Sequence, residues 1–337
     1  MTKAKRNRSM RVVLVSSRSF GKVIPVGKMI LTRGGFDVRH IGPEERPIDE
    51  DRMTEIVNRE DPDAIICGPE PITEKVLGAS KTLRMVMMHG VGVDHIDVAA
   101  ATGRGIVVAN APGANTAAVA DLTIAAMLAV LRHICEANQT TKAGSWDRHL
   151  GHELGEMTIG VIGTGRIGAY VIKRLGGFGS HILAYDVIQD RHLIEEFGVT
   201  YVTLEKLLAE SDVITLHIPM MEETRKMIGR QELERMQRTA CLINTARGGL
   251  VDEEALYDHL KANRTAGAAL DVFSVEPPRG SPLLDLENVL ATPHVASYTA
   301  EATERLDRAC AETIVNTFSE KPCSNILNPE VLKPEHP

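Results

Sequence analysis

Residues 158–175 read TIGVIGTGRIGAYVIKRL, and this segment decides the fold. An apolar run, TIGVI, leads directly into the pattern Gly-x-Gly-x-x-Gly, and a helical pattern follows. The three glycines have separate tasks: Gly163 allows a tight turn, Gly165 lets the backbone approach a pyrophosphate, and Gly168 lets helix and strand pack closely. Strand, glycine loop and helix in this order predict a dinucleotide-binding unit.

Short apolar runs alternate with longer helical patterns on both sides of this segment. This rhythm is typical of parallel sheets that are covered by helices on both faces. Pro112 and Gly113 break the chain between a first and a second set of runs. We therefore predict an α/β protein with two doubly wound, Rossmann-like parallel-sheet domains separated by a cleft. The first set is RVVLVSS, FDVRHIG, DAIICG, LRMVMMHG and GIVVAN, and the second is MTIGVIGTG, HILAYD, DVITLHIP, CLINTARG, GAALDVF and NVLATPHV.

Three further segments connect or follow these runs. Asn115 or Thr116 can cap a helix of about five turns, which would form a hinge or a subunit contact. Residues 296–320 have helical spacing. The tail that follows is rich in proline, which predicts an extended conformation.

Composition restricts the class of function. The 337 residues suit two domains better than one. The 45 acidic and 38 basic residues give a net charge of -7, which opposes binding to nucleic acid or to an anionic membrane. Small-molecule chemistry is therefore favoured over both.

The cysteines and histidines show no metal-binding pattern, and we expect no metal. The HELGE segment at His152 lacks the second histidine of a zinc-protease motif. The basic start of the chain has no apolar segment of signal-peptide type after it. We expect reduced thiols in a cytoplasmic protein, with cysteines at Cys67, Cys135, Cys241, Cys310 and Cys323.

In each run of the second set, the apolar stretch is followed by a glycine or a polar residue. Ligands of open parallel sheets bind outside the carboxyl ends of the strands, so these residues should face one crevice. Asp186 ends the run after the glycine loop and is placed to bind ribose hydroxyls, which favours NAD over NADP because a carboxylate repels a 2'-phosphate. Arg191 leaves NADP open, and Asp186 could instead cap the next helix. The six run-end residues are Gly163, Asp186, His217, Arg247, Asp271 and His294.

Arg247, Glu276 and His294 could perform hydride-transfer chemistry together. Reduction of a 2-keto acid needs a cation for the carboxylate, and the planar fork of arginine pairs with it bidentately. It also needs an acid for the carbonyl oxygen, and the pKa of histidine lies near neutrality. A neighbouring Glu276 would raise that pKa.

Each of these three residues also has a purely structural interpretation. Arg247 could form an ion pair with Asp252 or Glu253. Glu276 could cap a turn, and His294 is one of 12 histidines. Their joint position beside a dinucleotide motif favours the catalytic interpretation.

The chain resembles the D-isomer-specific 2-hydroxyacid dehydrogenases over nearly its whole length. Within this family it is most similar to the phosphoglycerate dehydrogenase branch, through the RSFGK opening and the short spacing from Glu276 to His294. The motifs that carry the resemblance are HGVGVDHID, VANAPGANTAAVADLTI, IGVIGTGRIGAYVIKRL, LHIPMMEETRKMIG, CLINTARGGLVDEEAL, ALDVFSVEPP and ATPHVASYT.

The resemblance implies a discontinuous domain layout. Residues 1–111 and 295–337 would form a flavodoxin-like substrate-binding domain, and residues 112–294 an NAD-binding Rossmann domain. It also implies an NAD-dependent dehydrogenase that acts on the CH–OH group of a small D-2-hydroxy acid. The partner would be a second copy, in a homodimer formed through the hinge helix and the arm around Trp146.

The resemblance further implies a role for each site residue. His294 would be the acid/base, Glu276 its partner, and Arg247 the residue that orients the substrate. The implied substrate contacts are Gly90, Val91, Gly92, Arg247 and His294. The implied cofactor contacts are Gly163, Gly165, Arg166, Ile167, Gly168, Asp186, His217, Ile218, Pro219, Thr245, Ala246, Arg247, Asp271 and His294.

Two features depart from the phosphoglycerate dehydrogenases. These usually carry a phosphate-binding arginine just before the glycine loop, whereas Met88 and His89 stand there. Arg18 or Lys22 could replace it, or the substrate is not phosphoglycerate. The sequence also ends without the regulatory extension of many serine-pathway members, so we expect no feedback control by serine through that route.

Two other functions remain open. Phosphite dehydrogenases have the same fold and a similar triad, so oxidation of phosphite or a phosphonate is an alternative. Formate dehydrogenases fit less well, because they carry glutamine where Glu276 stands. Transcriptional co-repressors that resemble the family keep the triad, so an NAD(H)-sensing scaffold is the non-enzymatic alternative.

Overall fold

The chain folds into two units, seen in a computed structural model that describes residues 10–262 and 266–332. The first unit runs up to Asn115 and resumes at Thr299, and the second comprises Thr116–Tyr298. The division predicted from sequence, 1–111 with 295–337 and 112–294, places each boundary a few residues earlier. Its assignment of substrate and cofactor to the two units stays a prediction.

Strands and helices alternate along both units. The strands are β1 Arg11–Val15, β2 Phe36–His40, β3 Ala64–Cys67, β4 Met85–Met88, β5 Val107–Ala109, β6 Thr158–Ile162, β7 His181–Tyr185, β8 Thr200–Tyr201, β9 Val213–Leu216, β10 Cys241–Asn244, β11 Gly267–Leu270 and β12 Val289–Ala291. The α-helices are α1 Val26–Arg33, α2 Glu50–Glu60, α3 Glu74–Leu77, α4 Val98–Gly103, α5 Thr116–Leu131, α6 Ile134–Lys142, α7 Arg166–Gly176, α8 Arg191–Phe197, α9 Leu204–Glu210, α10 Arg230–Arg235, α11 Glu253–Lys261 and α12 Ala300–Phe318. Short 3-10 segments lie at Pro43–Glu45, Leu154–Glu156, Gly248–Leu250, Pro282–Asp285 and Pro329–Leu332.

The first unit contains a five-stranded parallel sheet in the order β2-β1-β3-β4-β5. Successive residues of a strand point to opposite faces, and here both faces are buried. Val13 and Ile66 pack towards α1 and α12, whereas Leu14 and Ile65 pack on the side of α2 and α3. Burial on both faces explains why these runs are apolar throughout rather than alternating.

The second unit contains a seven-stranded parallel sheet in the order β12-β11-β10-β9-β6-β7-β8. All six strands predicted for this unit are present. Together with the sheet of the first unit, they confirm the predicted class of two doubly wound parallel sheets. Strand β8 was not predicted, because its two residues are too short to show a period. The winding direction reverses between β6 and β9, so the ends of these two strands form the topological switch point.

The predicted helix after Pro112 and Gly113 is present as α5 and is followed by a break. His133 adopts a left-handed φ of 51°, and α6 begins directly after it. Among the described residues, no single helix is long and apolar enough to cross a membrane; α5 and α6 reach that length only together, and they are bent by 62°.

The sequence predicted an extended tail after α12, but the tail is extended only in part. Ile326 pairs antiparallel with Ala109 of β5, but Pro329–Leu332 forms a 3-10 turn, and residues 333–337 lie outside the described range. The Asn328 amide explains the turn's position. Its Oδ1 accepts from Val108 N at 2.8 Å, and its Nδ2 donates to Ile106 O at 2.9 Å. The tail therefore closes the edge of the first sheet.

We predict that Asn328→Ala lowers the free energy of unfolding of this unit by about 2–3 kcal/mol, because it leaves buried backbone groups of β5 without partners. Denaturation in urea measures the change. Asn58→Ala, at an exposed position of α2, is the control and should cause no comparable loss. Equal stability of the two variants would show that the tail does not hold this edge.

Candidate active site

The glycine loop after β6 has the geometry that each glycine predicts. Gly163 has φ 93°, and a Cβ there would meet the His217 backbone at 2.7 Å. At Gly168 a Cβ would stand 2.0 Å from Gly163 O, so helix and loop could not pack. Around Gly165, by contrast, a Cβ would meet nothing within 4 Å. The loop is thus closed on its inner side and open where a ligand would approach.

Helix α7 begins directly after Gly165, and no side chain caps its N-terminus. The first N–H groups of a helix lack partners within the helix, and the helix dipole favours an anion beside them. Arg166 is exposed at this end, and Ile167 packs partly against the core of the unit. These residues therefore fit the pyrophosphate of a dinucleotide.

Asp186 is bound to the glycine loop and does not cap the next helix. Its Oδ2 accepts from Thr164 N at 2.6 Å and from Thr164 Oγ1 at 3.2 Å, while Asp190 caps α8. Burial acts to raise the pKa of Asp186, but the hydrogen bonds from Thr164 and Ile188 outweigh it and hold the pKa below its ordinary value. The carboxylate is therefore ionised and aimed at the loop that would hold the cofactor.

His217, at the end of β9, is a neutral residue at the switch point. Burial lowers the pKa of its imidazole to about 3, although part of the residue remains accessible. One ring nitrogen, Nε2, lies 2.9 Å from Thr215 Oγ1. Beside it, Ile218 packs against the core and Pro219 is exposed, so this strand end offers an uncharged surface.

The end of β10 is shaped by the buried side-chain amide of Asn244, which was not among the predicted site residues. Asn244 Nδ2 donates to Arg247 O at 2.8 Å, and Asn244 Oδ1 accepts from Ala246 N at 3.1 Å. Between them, Thr245 is buried, and its Oγ1 lies 2.8 Å from Thr123 Oγ1 of α5. The backbone turn that presents Arg247 is thus fixed from within the sheet.

Arg247, Glu276 and His294 come together at the carboxyl edge of the second sheet. Glu276 Oε2 lies 2.7 Å from His294 Nδ1, and Glu276 Oε1 accepts from Phe273 N at 3.1 Å. The Arg247 guanidinium donates to Ala246 O at 2.8 Å, and its positive charge makes a minor contribution towards a lower pKa at both Glu276 and His294, which at His294 other interactions outweigh. The three groups therefore lie within electrostatic reach of one another.

The net effect on His294 is a raised pKa. The hydrogen bond to Glu276 is the largest cause, and it acts against burial, which lowers this pKa. For Glu276, burial acts to raise the pKa, but the hydrogen bond and the charge of His294 outweigh it and the pKa is lowered. The pair is thus stabilised as imidazolium and carboxylate, with Nε2 as the ring nitrogen that Glu276 does not engage.

The alternative ion pairs considered for Arg247 involve acids with other partners. Asp252 caps α11 and pairs with Lys226 Nζ at 3.0 Å. Glu253 accepts from Ser274 N at 2.5 Å. The charge of Arg247 acts on Glu276 and His294, which supports an environment of Arg247 that includes these two residues.

Asp271 organises the loop that carries His294. Its carboxylate is buried and accepts from Thr292 Oγ1 at 2.6 Å, Val295 N at 2.9 Å and Ala296 N at 2.9 Å. Within this loop His294 has a left-handed φ of 52°, which favours glycine and costs other residues about 1–2 kcal/mol. The side chain predicted to line the nicotinamide is thus engaged in holding the proposed acid/base.

The glycine loop of the first unit is held through its carbonyl groups. Gly90 O accepts from Ala111 N at 2.8 Å, and Val91 O accepts from Asn110 Nδ2 at 2.7 Å. Asn325 in turn donates to Asn110 O at 2.6 Å. These bonds position Gly90, Val91 and Gly92 without using their N–H groups.

Sequence reasoning missed several polar residues that support the site. Tyr201 Oη donates to Thr164 Oγ1 at 2.9 Å, and Tyr201 belongs to the unpredicted β8. Asn244 and Thr123 support the turn at Arg247. A polar residue at the end of the apolar run CLIN was the available sign for Asn244, whereas the partners of Thr123 and Tyr201 depend on packing. In the described ranges no group of three potential metal ligands is found.

Comparison with known proteins agrees with this geometry. The family model described as "D-isomer specific 2-hydroxyacid dehydrogenase, NAD binding domain" matches residues 124–296. A glyoxylate reductase of Korarchaeum cryptofilum is 45% identical over 275 residues, which cover 80% of this chain and 83% of that protein. The chain belongs to the D-isomer-specific 2-hydroxyacid dehydrogenase family. This membership confirms the resemblance that the motifs predicted.

Two other similar proteins have different named substrates. A D-3-phosphoglycerate dehydrogenase of Archaeoglobus fulgidus is 45% identical over 273 residues, but the match spans 80% of this chain and only 52% of that protein. The structure of D-lactate dehydrogenase from Aquifex aeolicus, complexed with NAD and lactic acid, has a TM-score of 0.83 at 28% identity over 94% of this chain and 99% of that one. As a member of this family, the protein described here is therefore an NAD-dependent oxidoreductase that acts on CH–OH donors.

We predict that Asp271→Asn lowers kcat by on the order of 10²-fold, because an amide nitrogen cannot accept the bonds that hold the His294 loop, and small misplacements of catalytic groups have effects of that size. Steady-state kinetics and an NADH titration measure the two effects separately. Asp285→Asn, at an exposed position, is the control. A loss confined to NADH binding would show that Asp271 does not act through the His294 loop.

Proposed function

We propose that this dehydrogenase interconverts a small D-2-hydroxy acid and its 2-keto acid. The observation that supports this most is the coupled set of Arg247, Glu276 and His294, with His294 Nδ1 2.7 Å from Glu276 Oε2. When bound, NADH supplies the hydride. The protein's task is to bind the keto acid, orient it, and give a proton to its carbonyl oxygen.

Proton transfer is assigned to His294. Its Nδ1 is occupied by Glu276, so Nε2 is the nitrogen that donates to the carbonyl oxygen during reduction and accepts the proton back during oxidation. Glu276 keeps the ring in one orientation and stabilises its cationic form. The nitrogen that Glu276 binds therefore determines which nitrogen of the ring transfers the proton.

Substrate orientation is assigned to Arg247 and to the glycine loop of the first unit. A guanidinium pairs with a carboxylate through parallel N–H bonds, and it also stabilises charge on the carbonyl oxygen. The N–H groups of Gly90, Val91 and Gly92 would bind the substrate carboxylate.

Cofactor binding is assigned to the carboxyl edge of the second sheet. The glycine loop and α7 would hold the pyrophosphate, and Asp186 the ribose hydroxyls. An ionised carboxylate there supports NAD over NADP. The nicotinamide half would lie against His217, Ile218, Pro219, Thr245, Ala246 and Asp271.

The proposal also covers the identity of the substrate and the assembly of the protein. Glyoxylate, hydroxypyruvate and a phosphoglycerate-like acid all satisfy the chemistry above. A cytoplasmic homodimer is also proposed. In support, α6 has no buried residue, and Trp146 and Leu150 in the following arm are 76% and 92% exposed, a surface that a partner copy would cover.

We predict that the protein oxidises NADH with at least one short 2-keto acid, and that His294→Ala lowers this turnover by on the order of 10² to 10⁴, as expected for a positioned acid. Loss of NADH absorbance over a panel of keto acids measures it. His181→Ala, an exposed histidine at the start of β7, should leave turnover unchanged. Near-normal turnover of His294→Ala would remove this residue from the mechanism. Phosphite and simple hydroxyphosphonates are electron donors, so that alternative is tested in the other direction, by formation of NADH from NAD.

A second prediction concerns pH. Reduction uses protonated His294, so kcat/KM should be maintained below the raised pKa of this imidazole and fall as pH rises through it. Glu276→Gln removes the largest cause of the raised pKa, so the fall should move to lower pH. Reduction rates over pH 5 to 10 measure both profiles, a range from about 1.5 units below to about 3.5 units above the ordinary histidine pKa. An unchanged profile would mean that another group supplies the proton.

A further inference from the structure

The first unit has its own topological switch point, and polar residues gather there. The winding direction of its sheet reverses between β1 and β3, and ligands of such sheets bind outside the carboxyl ends of the strands at this position. Ser16 and Ser17 follow β1, and Gly68 to Glu70 follow β3. The loop Gly90–Gly92, proposed above to bind the substrate carboxylate, follows the neighbouring strand β4.

A buried ion pair occupies this switch point. Arg46 Nη1 lies 2.9 Å from Glu70 Oε1, and the side chains are 16% and 5% exposed. The second oxygen of Glu70 accepts from Ser16 Oγ at 2.8 Å and from Gly68 N at 2.9 Å. Arg46 Nη2 also donates to Ser16 O. The only formal charges in this cluster are therefore one guanidinium and one carboxylate that offset each other.

The residue before the glycine loop is paired in the same way. His89 Nε2 lies 2.8 Å from Asp307 Oδ1, and His89 Nδ1 lies 2.9 Å from Ser17 Oγ. Both side chains are almost completely buried, at 4% and 0% exposed. Any positive charge on the imidazole is thus offset by Asp307.

Strand pairing brings both pairs next to the glycine loop. His89 N donates to Cys67 O at 2.9 Å, and the next residue along that strand, Gly68, donates its N–H to Glu70. His89 is therefore linked to the Glu70 carboxylate through two hydrogen bonds and the Cys67–Gly68 peptide group between them. Arg18 and Lys22, the other basic residues considered for a phosphate, are exposed at the surface.

This charge arrangement affects phosphorylated and unphosphorylated substrates differently. A phosphate dianion is bound by cations that can give it charge-assisted hydrogen bonds, and here Arg46 already has a carboxylate partner. Because Glu70 cancels the attraction of Arg46, a dianion at this edge loses its hydration without gaining net electrostatic stabilisation. A hydrogen or a hydroxymethyl group carries no charge, so it does not incur this cost.

We propose that this edge of the first unit selects 2-keto acids whose second substituent is uncharged, and that Glu70 excludes the phosphorylated ones. The inference rests on the proposed function, since it concerns the substrate of that same site. It separates glyoxylate and hydroxypyruvate, as a class, from phosphohydroxypyruvate. Specificity here comes from an unfavourable interaction with the wrong substrate rather than from an added contact with the right one.

The first experiment compares hydroxypyruvate with 3-phosphohydroxypyruvate, which differ only in the phosphate group. With NADH and the unmodified protein, kcat/KM should be at least about tenfold higher for hydroxypyruvate, within the range that single substituents produce. A preference for the phosphorylated acid would overturn the inference and leave the proposed function in place. No turnover with any keto acid would instead count against the proposed function.

The second experiment changes the proposed determinant. Glu70→Gln keeps the size of the side chain and an oxygen for Ser16 and Gly68, but it removes the charge that offsets Arg46. The ratio of kcat/KM for the phosphorylated over the unphosphorylated acid should rise by about tenfold, and added salt should reduce the gain because it screens the freed charge.

The control for Glu70→Gln is Glu74→Gln. It makes the same change of net charge in the same unit, at a side chain that is 72% exposed and pairs with Arg104. Its ratio should equal that of the unmodified protein. Equal ratios for both variants would show that Glu70 does not select against phosphate, and if Glu70→Gln does not fold, the comparison of the two substrates with the unmodified protein still decides the proposal.

Discussion

A parallel sheet delivers the carboxyl ends of all its strands to one edge, and the chemistry of this protein depends on that constraint. In the second unit, β10, β11 and β12 are neighbours in the sheet, although Arg247, Glu276 and His294 lie far apart in the chain. Strands β10 and β11 are buried on both faces, and their charged neighbours in the chain lie beyond their ends. Because apolar residues fill the strands, the reactive side chains are concentrated where the strands stop.

The two units use charge at this edge in opposite ways. In the second unit one carboxylate faces two cationic groups, so Glu276, Arg247 and His294 together carry an excess of positive charge whenever the imidazole is protonated. That excess suits an anionic keto acid and a carbonyl oxygen that gains charge. In the first unit, Arg46 and His89 are each offset by a buried carboxylate. On the function proposed above, the edge of the second unit attracts an anion, and the edge of the first positions the substrate without adding net charge.

The fold, and the position of the candidate site residues at strand ends, were predictable because they depend on local patterns. Apolar runs, the glycine motif and polar strand ends are visible in short windows, and the relatives confirm the family that they indicated. What was missed depends on packing between distant segments. His89 and Asp307 are 218 residues apart, and Ser16 and Glu70 are 54 apart. No periodicity reports such pairs, and β8 is too short to have one. The same limit explains why the bonds from Asp271 to the His294 loop were not predicted.

The loop that carries His294 shows how a site can combine a strained backbone with a defined orientation. A left-handed φ at a histidine is unfavourable by itself, and such conformations persist only where surrounding contacts determine them. Here the contacts come from one carboxylate, since Asp271 binds the residues on both sides of His294. Glu276 then orients the ring, and its own Oε1 is fixed by Phe273 N. Backbone and ring are thus held by two different acids, which allows the imidazole to gain and lose a proton without changing the position of the loop.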